Sequence, residues 1–87
     1  MSQIALKELT DEWVAFTDIT TPENNKNYYI QNRGPQNVLA LESASTPENL
    51  DGVLITPYEQ YTYQKGSQTL YLRAYSNNAT VNVTKED

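Results

Sequence analysis

Thr69-Leu70-Tyr71-Leu72-Arg73-Ala74-Tyr75 is the stretch on which the fold turns. Side chains of a β-strand point alternately to its two faces. Leu70, Leu72 and Ala74 therefore share one face, and Tyr71, Arg73 and Tyr75 share the other. The first face reads as buried, the second as polar and aromatic. Working outward, Ser76-Asn77-Asn78 reads as a turn, because Asn tolerates a left-handed backbone. It leads into Ala79–Thr84, where Ala79, Val81 and Val83 alternate with polar residues. These two segments are expected to pair as an antiparallel hairpin.

The same grammar runs through the rest of the chain. Further strands are read at Glu12–Thr17, Asn27–Asn32, Asn37–Glu42, Gly52–Thr56 and Glu59–Gln64. They are rich in Tyr, Thr, Val, Leu and Ile, which suit pleated, half-buried surfaces. Turn chemistry separates them: Thr20–Asn27, Arg33-Gly34-Pro35-Gln36, Ser43–Asn49 and Lys65-Gly66-Ser67-Gln68. Tyr28–Asn32 is expected to pair with Val38–Leu41 across Gly34-Pro35. Short strands at regular spacing indicate an all-β fold, a compact antiparallel β-sandwich or small barrel of about seven strands.

The N-terminal part admits two readings. Leu6, Leu9, Trp13 and Phe16 are spaced as on one helix face, and Thr10-Asp11 could cap a helix. The aromatic and β-branched content of Glu12–Thr17 favours a strand instead. Residues 1–10 read as an arm that docks on the sheet or on a neighbouring molecule. Trp13, the lone Trp, is expected to anchor the core.

Length and composition bound the function. Eighty-seven residues, taken as 1–87, form one domain with a small core. With no Cys and no His, no disulfide can form and no Cys/His metal cluster exists. Stability should be on the order of 4–13 kcal/mol, at about 0.05–0.15 kcal/mol per residue. Self-association is one way left to bury more apolar surface. Six Lys+Arg against eleven Asp+Glu give a net charge of −5, so neither nucleic acid nor an anionic membrane is expected as a partner. No apolar run approaches the ~20 residues needed to cross a bilayer. Met1–Glu8 lacks the charged and apolar regions of a signal peptide, so synthesis in the cytoplasm and a complete small reading frame are expected.

Catalysis is not expected. Ser–His and Cys–His nucleophile pairs cannot be built, and the acids lie mostly in polar loops and near the ends. Two carboxylates would suffice for a glycosidase, but scattered loop acids are usually solvating. Asn49-Leu50-Asp51-Gly52 offers oxygen ligands for calcium, yet it lacks the alternating acids of a calcium loop and reads as an ordinary Asp-Gly turn. No cofactor is expected.

The Tyr-bearing strands carry the functional expectation. Tyr61 and Tyr63 share a strand face, as do Tyr71, Arg73 and Tyr75. If the two strands are neighbours, these five residues form one aromatic protein interface, since Tyr and Arg bury large area while keeping a polar handle. The plainer reading is that some of these rings cap the core with their hydroxyls in water. An aromatic strip would also suit sugar stacking, which makes a carbohydrate-binding module used in host attachment the alternative. Asn78-Ala79-Thr80 and Asn82-Val83-Thr84 match the glycosylation pattern but carry no weight without a secretion signal.

Trp13, Tyr28–Gly34, Val38–Leu41, Pro47, Leu70–Ala74 and Ala79–Val83 together resemble small virion structural proteins of tailed bacteriophages and prophages. The resemblance implies capsid decoration or a tail accessory role, symmetric homo-oligomers, contact with other virion proteins, residence in the virion and no catalytic residues. Edge strands would then serve as contact sites, with Pro35, Pro57 and Gly66 limiting uncontrolled pairing.

Overall fold

A computed structural model describes residues 2–86. Eight strands form two antiparallel four-stranded sheets packed face to face. They are β1 (Ser2–Leu9), β2 (Val14–Ala15), β3 (Asn27–Pro35), β4 (Val38–Ser43), β5 (Val53–Ile55), β6 (Gln60–Gln64), β7 (Thr69–Ala74) and β8 (Ala79–Lys85). Sheet A has the order β1-β8-β3-β6, and sheet B has the order β2-β7-β4-β5. The fold is the all-β sandwich expected from the alternation.

The inner faces are those read from the sequence. Leu70, Leu72 and Ala74 from sheet B and Ala79, Val81 and Val83 from sheet A are all buried. Tyr28, Ile30, Val38, Ala40 and Ile55 complete the same core. The strand partners, however, differ from expectation. β7 and β8 belong to opposite sheets, as do β3 and β4. The turn at Asn77 does have the left-handed backbone expected of it, with φ 56°. It carries the chain from one layer to the other instead of closing a hairpin. The two apolar faces then bury each other across the core, which a flat hairpin cannot provide for a chain this short.

The segment Glu12–Thr17 is mostly not strand. β2 spans two residues and gives way to a single 3₁₀ turn at Phe16–Asp18. The amides of Ile19 and Thr20 both donate to the Phe16 carbonyl, which turns the chain so that Phe16 drops into the core. Phe16 is wholly buried and meets Tyr28 and Tyr63 edge-on, with ring centroids 5.4 and 5.2 Å away. Such geometry is preferred by aromatic pairs. Phe16, not Trp13, is therefore the aromatic anchor; Trp13 is half-buried and outside the core.

The N-terminal arm docks on the sheet. β1 pairs antiparallel with β8 from Ser2 to Leu9, with an irregularity between Gln3 and Ala5. Leu9 is fully buried at its inner end. Met1, the first residue of the expected arm, lies outside the described residues.

Asn32 joins the layers. It is the one buried polar residue of the described chain. Its Nδ2 donates to the carbonyls of Gln36 (2.9 Å) and Ile55 (2.8 Å), and its Oδ1 accepts from the Gly34 amide (2.7 Å). Its own amide donates to Glu59, and its carbonyl accepts from Tyr58. One side chain thus ties sheet A, the β3–β4 turn and the edge of sheet B together. Gly34 has φ +80°, a conformation that glycine enters without strain, and its bond to Pro35 is cis.

Candidate contact surfaces

Strand register assigns every outward side chain to one of two surfaces. On sheet B, Ala15, Tyr71 and Leu41 form one cross-strand row, and Arg73, Leu39 and Leu54 form the next. Trp13 extends the second row: the Arg73 guanidinium carbon lies 5.8 Å from its ring centroid, within cation–π range. Tyr75 continues the face beyond β7, its amide bonded to the Asn37 carbonyl. Arg73 Nε donates to the Ala74 carbonyl at 2.9 Å and Nη2 to the Tyr75 carbonyl at 3.3 Å. The guanidinium is thereby held flat against the sheet.

This face is unusual for the outside of a sandwich. Leu39 is only 3% exposed although it points away from the core, because neighbouring side chains close over it. Leu54 and Tyr75 remain about half exposed, at 49% and 46%. Arg73 is the one charged side chain in these rows. The sheet buries apolar residues on its inner side and presents an aromatic and aliphatic surface on its outer side.

The outer face of sheet A has opposite chemistry. Its rows are Leu6, Asn82, Gln31, Gln60 and Gln3, Thr84, Tyr29, Thr62. Amides and hydroxyls dominate. A shallow cleft of about 500 Å³ runs between Gln3, Leu6, Arg33, Thr80 and Asn82. Asn82 Oδ1 is buried there with no hydrogen-bond partner among the described residues. Composition gave no hint of this cleft, because it takes one or two residues from each of three strands.

The five residues singled out in the sequence are divided by the fold. Tyr71, Arg73 and Tyr75 share the outer face of sheet B. Tyr61 and Tyr63 lie on β6, at the edge of sheet A, and their register sets them on its inner side with Tyr28 and Ile30. Tyr63 is 3% exposed and packs on Phe16, so it is a core residue and offers no contact surface. Tyr61 is half-buried and donates its hydroxyl to Glu42 Oε2 at 2.9 Å, bridging the two sheets. β6 and β7 are not neighbours, so no single five-residue patch exists. Trp13, Leu39 and Leu54 lie on this outer face without having been flagged by the strand pattern; the cross-strand rows place Leu39 and Leu54, and the contact with Arg73 places Trp13.

Electrostatics at the edges follow from burial and pairing. Partial burial, followed by the hydrogen bond to Glu42 and its charge, pushes the Tyr61 hydroxyl up to about 12. Burial and the charge of Glu42 raise Tyr63 as well. Lys85 Nζ lies 2.5 Å from Glu23 Oε2, and that hydrogen bond with its charge holds the Glu23 carboxyl below its usual range. Among the described residues no group of three or more His, Cys, Asp or Glu is placed to hold a metal ion. No model of a protein family, no curated protein and no solved structure matches the chain.

Proposed function

We propose that this chain is a contact protein of a larger assembly, docking through the outer face of sheet B. One observation carries the reading: Trp13, Tyr71, Arg73, Tyr75 and Leu54, laid over the buried Leu39, form a surface that is aromatic, aliphatic and nearly free of charge. Tyr, Trp and Arg are the residues in which binding energy concentrates at protein interfaces. The partner that fits is a protein surface offering apolar area and a hydrogen-bond acceptor for the Arg73 guanidinium. The assembly we propose is the virion of a tailed bacteriophage or prophage, in which the chain decorates the capsid or belongs to the tail. The resemblance carried by Tyr28–Gly34 and Leu70–Ala74 supports that choice. Genes for a portal, capsid or tail protein beside this one would favour it, and their absence would count against it.

A second reading rests on sheet A. The cleft beside Asn82 is lined by amide, hydroxyl and guanidinium groups around the exposed Leu6, a lining that suits a neutral polyhydroxylated ligand such as a glycan. Glycan-array binding that Asn82→Ala abolishes would favour it over the contact reading.

A further inference from the structure

We propose that two copies of this chain join edge to edge through β6, antiparallel about a two-fold axis at Thr62, so that sheet A continues from one copy into the other. The proposal deepens the contact reading, and rests on it, by naming a second copy as one partner. It uses none of the sheet B face.

Backbone geometry comes first. β6 is the outer strand of sheet A. Residues of an antiparallel pair alternate between hydrogen-bonded and non-bonded positions. The Asn32 amide donates to the Glu59 carbonyl, so in this register that carbonyl and the backbone groups of residues 61 and 63 turn towards β3. Gln60, Thr62 and Gln64 therefore turn theirs outward, to the free edge. A strand edge of this kind is a template for another strand.

The side chains then select the occupant. Thr62 is the middle residue of β6, and a two-fold axis there sets residue 62+k of one copy opposite 62−k of the other. Gln60 meets Gln64, and Tyr61 meets Tyr63. One residue beyond each end of the strand, Glu59 of each copy meets Lys65 of the other. Both are exposed, and the Glu59 carboxylate accepts a hydrogen bond from the Thr56 hydroxyl. Opposite charges directly across a strand pair stabilise it, and like charges destabilise it. The edge is thus complementary to itself in this register, with an ion pair at each end. A one-residue slip would break that match. Pro57 and Gly66 bracket the seam and keep it from running on. The chain is acidic overall, so two copies repel in general, and this local pairing is what opposes that repulsion.

The seam is short, at the low end of specific interfaces. Sedimentation equilibrium of the full chain from about 10 μM to about 1 mM spans the affinities expected of such a contact. The wild type should show a monomer–dimer equilibrium. Glu59→Lys and Lys65→Glu should each weaken it at least about tenfold, and the double variant E59K/K65E should restore it. Glu59→Lys also lowers the net negative charge by two units, so a loss of dimer in that variant runs against general repulsion. Tyr71→Ser should leave the dimer intact. A wild type monomeric throughout, or a folded double variant that stays dissociated, overturns the seam. A dimer that Tyr71→Ser abolishes while the charge reversals leave it unchanged also overturns the seam, but it leaves the sheet B reading standing.

Discussion

Asn32 is the residue where sheet pairing, turn geometry and layer packing meet. Replacing it with Ala leaves the Ile55 and Gln36 carbonyls and the Gly34 amide without their partner. An orphaned buried polar group costs about 1–3 kcal/mol, so Asn32→Ala should destabilise the fold by about 2–4 kcal/mol, read as a lower urea midpoint. Asn32→Asp should be no milder, since it removes both Nδ2 donors. Gly52 is a second sensitive position. Its φ is +117°, and an added Cβ would lie 2.5 Å from the Ala40 carbonyl oxygen. Gly52→Ala should therefore cost about 1–3 kcal/mol by the same assay. Tyr61 titrates with a folded pKa of about 12 against an ordinary 10.0. A group raised on folding contributes stability below its unfolded pKa and loses it as pH rises through the folded one. Stability should accordingly fall between about pH 10 and 12. Tyr61→Phe should flatten part of that fall, with Tyr63 supplying the remainder.

Among the elements, the central strands of sheet A carry the firmest structure. β3 and β8 are each paired on both sides, and Ile30, Val81 and Val83 are wholly buried. Their amides should exchange with solvent most slowly. Those of β5, a three-residue edge strand whose Val53 and Leu54 are half exposed, should exchange early. Uniform protection across both would contradict this ordering. The core strands were legible in the sequence, because period-two alternation is local: Leu70, Leu72, Ala74 and Ala79, Val81, Val83 face inward as read, whereas β1 was read only as a docking arm and Glu12–Thr17 holds just two strand residues. Their partners were not legible. The same alternation serves a hairpin and a crossing between layers, and only the need to cover both apolar faces decides between them. Phe16 shows the complementary limit. It sits among strand-forming residues, yet a place opposite Tyr28 and Tyr63 is worth more than two further residues of edge ladder. The site was half legible for the same reason: Tyr71, Arg73 and Tyr75 share a face by local period, whereas Leu39 and Leu54 join them only through register and Trp13 only through its contact with Arg73.

At the scale of the whole molecule, the two outer faces are chemically distinct. The molecule measures 32 × 26 × 18 Å, and its short dimension suits two sheets about 10 Å apart with their side chains. One broad side is amide- and hydroxyl-rich; the other is aromatic and aliphatic around a single Arg. Lys7, which sits on an edge strand in an inward-facing row opposite Val81, is the kind of charge that discourages pairing along β1. β6 carries no such charge within its length, which leaves it the freer edge of sheet A. A molecule with one apolar broad face and one open strand edge has the surfaces needed to meet a different protein and a copy of itself at once.

The proposed role has the outer face of sheet B hold this protein in a virion. Mass spectrometry of purified particles, made with either the wild type or a folded Tyr71→Ser/Tyr75→Ser variant, tests it most directly. The wild-type chain should be present in the particles and the variant depleted at least about tenfold, a loss of about 1.4 kcal/mol or more in binding. Absence of the wild type from the particles, or equal incorporation of the variant, would contradict it.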